Sequence, residues 1–447
     1  MAQIVANSAS ATCPRSIVHQ RLEELLHSSD GTVRLLYLGN SRVARPIGFA
    51  FDGFEEIAFD RGRLAGNAFV VPRKGAGQTL QDPRYLFNAG PSMSPSSSWT
   101  ADSEVEILHA HKWPGLLLDP TRTVKMANLG NDLVLLPRDQ PVTLTVQYLV
   151  GPSYGSFSVV PIEVLGDNEI IHTHPSAVID TNAPDMALSW QRITLPAMID
   201  PTLNRSFTLE GLTGDSVVYR VNVDLNVANG IAVSEMAIGA EGYQTQADEQ
   251  NVPPETWTEY AAAFGPTIAI WQYAANQGAN GLVEATMELM DRVESVNPDV
   301  LHILTIDNPT PRRDSKQIVA ASIVWANALD GYEGAIVVDP APFLPQDFID
   351  LQGTGKLGRY FLGPIHENRY GARVVANALW DAMEDYLASN PPNPADLDGD
   401  GNVGASDLLM LLAAWGTDPG GPPDFDGDGN VGAEDLLVLL ANWGPCP

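Results

Sequence analysis

Two stretches near the C-terminus crowd carboxylates at a spacing that suits a hard cation. DLDGDGNVGASD starts at Asp396, and DFDGDGNVGAED starts at Asp424, 28 residues later. Aspartate fills the first, third, fifth and twelfth places of both. These are Asp396, Asp398, Asp400 and Asp407 in the first copy, and Asp424, Asp426, Asp428 and Asp435 in the second. Glycine at the sixth place (Gly401, Gly429) permits a sharp turn, and the seventh (Asn402, Asn430) would donate a backbone carbonyl. Val403 and Val431 at the eighth place are apolar, which lets two such loops pack together. Like charges this close repel, so the pattern predicts one calcium ion in each loop, two in all. From Pro391 to Pro447 there are ten Asp or Glu and no Lys or Arg, a third of the chain's net charge of −30.

A second set of residues suggests nucleophilic chemistry. Gly39-Asn40-Ser41 follows the apolar run VRLLYL, and a serine in a turn after a strand is well placed to serve as a nucleophile. IAVSEMAIGAEG sets Gly239 after another apolar run, and IAIWQYAANQG sets Asn276 after a third. GPIHENRYGARVVANALW sets His366 ahead of the last long helical pattern before residue 390. The pairs His109/His111 and His172/His174 would share a strand face but read as ordinary histidines of a β-rich region. Trp99, Trp113 and Trp190 read as core packing, although exposed aromatics there could stack on sugar rings; Trp415 and Trp443 read as helix-packing residues.

The succession serine, glycine, asparagine, histidine resembles the SGNH (GDSL-like) esterase family over the Ser41 strand and roughly residues 229–389. The resemblance implies Ser41 as nucleophile, His366 as general base, and an oxyanion hole made by the N–H groups of Ser41 and Gly239 with the Asn276 amide. Asn40 stands where the family usually has Asp, and Gln277 replaces the acid after the block asparagine. A graver departure is Gly363, three residues before His366, where the family places its triad acid. A backbone carbonyl near Gly363, or Asp339 or Glu367, would have to orient the imidazole instead.

The tail resembles a type I dockerin over about 52 residues, with LLxLLAxWG after each loop. Two departures bear on its partner. The ninth place is Gly404 and Gly432, and Ala405-Ser406 and Ala433-Glu434 replace the usual Ser/Thr pair; the resemblance implies calcium in both loops and a cohesin-like protein partner, and these departures bear on the partner.

These residues need elements to position them. IVHQRLEELLHSS reads as an amphipathic helix ahead of the first strand, and strands alternate with helical patterns from 229 to 389, which implies a parallel sheet flanked by helices. Residues 46–228 hold short apolar runs broken by Pro, Gly and Asn, such as VTLTVQYLV and VVYRVNVDL, and read as an inserted all-β sandwich. The expected organisation is an α/β domain of residues 17–45 and 229–389, the insert 46–228, a linker 390–395 and a paired EF-hand-like module 396–444. The acidic balance argues against nucleic acid, no apolar run is long enough to span a membrane, and two cysteines, Cys13 and Cys446, allow at most one bridge. MAQIVANSASATCPRS lacks the apolar core of a signal peptide, yet calcium loops favour a secreted protein. The expectation is a secreted modular esterase removing O-acyl groups from an acylated carbohydrate. Its rivals are an inactive SGNH-like binding or adhesion protein, favoured by Gly363, and an acyltransferase using the same serine and histidine.

Overall fold

VRLLYLG is apolar at successive positions, which suits a strand covered on both faces, and it forms β1 (Gly31–Gly39) with its last five residues buried. The computed structural model describes residues 15–27, 31–39, 53–54, 57–58, 60–70, 85–89, 116–120, 122–126, 138–165, 169–227, 229–237, 242–249, 254–274, 278–332, 334–391, 393–399 and 402–445. The other strands expected beside β1 are β2 (Asn229–Ala237), β3 (Ile268–Gln272), β4 (Leu301–Thr305) and β5 (Ala335–Val338). They run parallel in the order β2-β1-β3-β4-β5.

Helices cover both faces because side chains alternate across a strand. One face of the sheet (Leu36, Leu38, Trp271, Leu304) packs on α3 (Pro254–Phe264), α4 (Leu282–Glu294) and α5 (Ser315–Leu329). The other face (Leu35, Tyr37, Ile270, Ile303) packs on α1 (Arg15–Leu26) and α6 (Arg369–Ser389). In α4 the buried residues Leu282, Ala285, Leu289, Met290 and Val293 recur at helical spacing. Each large apolar side chain so buried contributes about 1.5–3 kcal/mol.

The segment 46–228 does not build a sheet of its own on both sides. Leu64–Val70 joins β2 in parallel, and Ser216–Asp224, Val142–Val150 and Ala187–Leu195 continue outward from it in antiparallel pairs. Among the described residues the main sheet therefore has ten strands and runs on from the parallel half. A second, six-stranded sheet includes Asn204–Thr213, Ser156–Leu165 and Ala177–Asp180. Both sheets share one core, in which Leu144, Val146 and Val221 meet Phe157, Val159 and Phe207. His174 Nε2 lies 2.8 Å from Glu163 Oε1, whose carboxylate also accepts the N–H groups of Ile199 and Asp200. Trp190 is half-buried beneath the Arg192 guanidinium, 5.4 Å from its ring centre.

Near the C-terminus, α7 (Ala405–Ala413) and α8 (Ala433–Ala441) each follow an acidic loop. Val403 and Val431 are buried between them with Ala395, Leu411 and Leu439. Trp415 and Trp443, expected between helices, are instead 45% and 49% exposed. The small core is already filled by leucine and valine, so the indoles fall outside it. Among the described residues no helix is long and apolar enough to cross a membrane.

Candidate functional site

In an open parallel sheet, loops at the carboxyl ends of the strands form the binding crevice, and the order 2-1-3-4-5 opens it between β1 and β3. Ser41, Gly239 and Asn276 lie outside the described residues, as do Asn40, Gln277, His109, His111, Trp99, Trp113, Cys13 and Cys446. The described ends of the strands that lead to them are Gly39, Ala237 and Ala274.

A short helix ties two of these ends together. α2 (Tyr243–Ala247) follows β2, and its Gln246 Nε2 donates to the Gly39 carbonyl at 3.2 Å. Its Tyr243 hydroxyl donates to the Gln272 carbonyl at 2.7 Å, and the Tyr243 N–H donates to Ala274 O at 3.3 Å. Both side chains are fully buried, and burial holds the Tyr243 phenol well above its ordinary pKa. So α2 fixes the spacing between the end of β1 and the end of β3. Neither residue was singled out from the sequence; only a polar residue on an otherwise buried short helix hints at the role.

His366 is half-buried in a loop that several hydrogen bonds hold. Its carbonyl accepts the Leu362 N–H at 2.9 Å, and Phe361 and Glu367 form an antiparallel bridge. Asn368 caps α6 by accepting from Gly371 N at 2.9 Å, and it also donates to Arg359 O at 2.8 Å. A Cβ on Gly371 would meet Tyr360 O at 2.1 Å, so this approach requires glycine.

Of the two acids weighed as substitutes at the triad, Asp339 accepts the Ala341 N–H at 2.9 Å and serves its own turn. Glu367 is only 3% exposed and accepts from Asn308 Nδ2 at 3.0 Å. Asn308 follows β4 through Asp307, and it too escaped the sequence reading because DNP after a strand looks like an ordinary turn. Tyr273, at the end of β3, is raised above the usual phenol value by burial and then by the Asp307 charge. Among the described residues nothing lies within 4 Å of where a side chain at position 363 would begin.

The acidic loops gather oxygen donors. Carboxylate oxygens of Asp396, Asp398 and Asp407 lie within 4.8 Å of one another, and so do those of Asp424, Asp426 and Asp428. Asp400 lies outside the described residues. Asp407 is fully buried, with Oδ1 accepting from Leu397 N and Asp398 N and Oδ2 from Gly404 N. Asp435 repeats this with Phe425, Asp426 and Gly432. Burial raises the Asp435 carboxyl, but those backbone donors outweigh it and hold it below the usual value. For Asp426 the Asp428 N–H acts to lower it, yet desolvation and the charges of Asp428, Asp435 and Asp424 win and hold it above. Asn430 follows Gly429, whose φ of 86° only glycine adopts freely, and its N–H donates to Asp428 Oδ1 at 2.8 Å. Hard oxygen donors crowded until they repel fit a divalent cation such as calcium.

No family model matches the chain, and no curated protein matches it in sequence. Among solved structures it is similar to a peptidoglycan O-acetylesterase, at 14% identity over 85% of this chain and 97% of the other, with a TM-score of 0.54. It is also similar to a salicylyl-acyltransferase from a tetracycline biosynthetic pathway (11% identity, 72% of this chain and 97% of that one, TM-score 0.29). A family two carbohydrate esterase from Clostridium thermocellum follows (10%, 61% and 95%, TM-score 0.28), and at scores this low the last two likenesses carry no argument. The likeness to the O-acetylesterase, together with the strand order, shows the fold: a parallel sheet with helices on both faces.

Proposed function

We propose that this protein is a serine esterase that removes O-acyl groups, acetyl foremost, from a carbohydrate. The observation that carries the reading is the strand order, which sets the ends of β2, β1 and β3 side by side. Ser41, Gly239 and Asn276 each stand two residues along the chain from a described residue at that edge. Ser41 Oγ attacks the ester carbonyl while His366 takes its proton. The N–H groups of Ser41 and Gly239 and the Asn276 amide receive the developing oxyanion, each such donor being worth about 3–4 kcal/mol in a related setting. The sugar hydroxyl leaves with the proton from His366, and water, activated by the same imidazole, then releases the acid and frees Ser41. The carbohydrate rests on the name of the O-acetylesterase that shares the fold, and is analogy.

The tail is read as a dockerin-like attachment module. Asp396, Asp398, Asp400, Asn402 and Asp407 would hold one calcium ion, and Asp424, Asp426, Asp428, Asn430 and Asp435 the other. The ions would supply the positive charge that keeps these carboxylates together and the loops folded. Leu409, Leu412 and Trp415 and their counterparts Leu437, Leu440 and Trp443 are all exposed, which supports an apolar face for a protein partner of cohesin type. A calcium-folded module of this kind suits a secreted protein.

The test is acetate release from acetylated xylan and from O-acetylated peptidoglycan, with Ser41→Ala as control. Release above the variant supports the reading. No release from either polymer, nor from p-nitrophenyl acetate, would leave the inactive binding protein in its place.

A further inference from the structure

On the esterase reading, the loop that carries His366 must hold the imidazole in register with the edge of the sheet. An imidazole base needs an orienting partner, and where the triad acid is native its loss costs about 10⁴-fold in kcat. Asp339 Oδ1 accepts the Ala341 N–H of its own turn. The loop carrying His366, however, is fastened to the sheet at the very next residue. Glu367 and Asn308 are both buried, and the Asn308 amide donates to Glu367 Oε1 at 3.0 Å. A hydrogen bond to a buried carboxylate is among the strong ones and is short-ranged enough to fix a loop.

Its two ends are themselves anchored. On the sheet side, Asp307 N donates to Ser322 Oγ and Thr310 N to Ser315 Oγ, both at 2.9 Å, so the turn after β4 is held to α5. On the loop side, Glu367 pairs with Phe361 while Leu362 N donates to the His366 carbonyl. Asn368 N donates to Tyr360 O at 2.8 Å just beyond. The backbone on both sides of His366 is thereby referred to the carboxyl end of β4, on the same edge as β1 and β3.

We propose that Asn308 and Glu367 are a positioning pair for His366, fixing through a loop-to-sheet bond the backbone register from which the imidazole reaches the edge of the sheet. Neither touches the substrate; both act through the histidine.

The experiment is a donor–acceptor exchange. Asn308→Asp sets two carboxylates face to face, Glu367→Gln removes the charge, and the double variant restores the bond with its direction reversed. Two readouts are taken on the full chain: kcat and KM for p-nitrophenyl acetate, and the rate at which diethyl pyrocarbonate modifies His366, followed by peptide mass spectrometry. The expected result is a fall in kcat of about tenfold or more in Asn308→Asp with KM little changed, as a small misplacement of a base would produce. The His366 modification rate should shift in the same variant, and both should return toward the original in the double variant. Should Asn308→Asp not fold, Asn308→Ser and Glu367→Gln provide the same comparison. Unchanged kcat and unchanged His366 reactivity in folded single variants would overturn the proposal, as would a double variant that regains thermal stability without regaining kcat. If the unaltered protein hydrolyses no ester, the esterase reading fails on that result. The diethyl pyrocarbonate rates then decide the positioning claim alone, and equal rates would end it.

Discussion

At the carboxyl edge of the parallel sheet, buried polar side chains meet partners of the opposite hydrogen-bonding role. Gln246 and Tyr243 grip backbone carbonyls, and Asn308 grips Glu367. In the C-terminal loops, carboxylates face carboxylates, and Asp426 is pushed up by the charges of its neighbours. The first arrangement is built from the protein's own donors and acceptors and sits on about two dozen buried apolar residues on each face among the described residues. The second has five fully buried core residues among the described residues, Ala395, Val403, Leu411, Val431 and Leu439, and crowds like charges that a cation would offset. Preorganised donors suit a site that must meet a developing negative charge, whereas crowded acceptors suit one that is assembled by its ligand.

Removing calcium should break the comparison most visibly. EDTA is expected to unfold residues 396–443 while leaving the α/β region intact, seen as loss of helix signal from α7 and α8 with the main thermal transition unmoved. Calorimetry should register two calcium ions per chain. Unchanged helicity and no calcium heat would contradict the account of the tail.

Next in size is a change at Gly363. Because no described residue lies within 4 Å of the position a Cβ would take, Gly363→Asp is expected to fold normally. It would place a carboxylate three residues before His366 and raise kcat by about tenfold, well short of the full value of a native triad acid because the loop is already braced. An unchanged kcat would mean that His366 is oriented from elsewhere.

The smallest effect concerns pH. His302 is fully buried, accepts the Trp271 indole N–H at 2.8 Å on Nδ1, and lies 3.2 Å from Glu294 through Nε2. Burial lowers its pKa, and the Glu294 bond only partly offsets this. With the folded value below the unfolded one of about 6.5, the neutral ring is the form the fold prefers. Its contribution is therefore complete above about pH 6.5 and declines as pH falls below it. The melting temperature should drop between pH 7.5 and 5.5, and His302→Gln should flatten that slope.

The sequence carried these regions unequally. The paired acidic loops were readable because every carboxylate lies within twelve consecutive places and the pattern occurs twice. The strands and the helices Leu282–Glu294, Ser315–Leu329 and Arg369–Ser389 were readable from apolar periodicity. What escaped was nonlocal. Gln246 and Gly39 are 207 positions apart, and Asn308 and Glu367 are 59, so no window of sequence shows either bond. The two short helices after β2 were missed because only tertiary packing stabilises so few turns. The continuity of the β-rich strands with the parallel sheet was equally hidden, since pairing partners leave no mark in a single strand. Trp415 and Trp443 went wrong for a related reason: a helix-spaced aromatic looks like core until the core is found to be full.

The most direct test of the central claim is to treat the protein with a fluorophosphonate and locate the adduct by peptide mass spectrometry. The account predicts one adduct, on the peptide containing Ser41, absent in Ser41→Ala and strongly slowed in His366→Ala. An adduct on another serine, or none while the protein is folded, would contradict it.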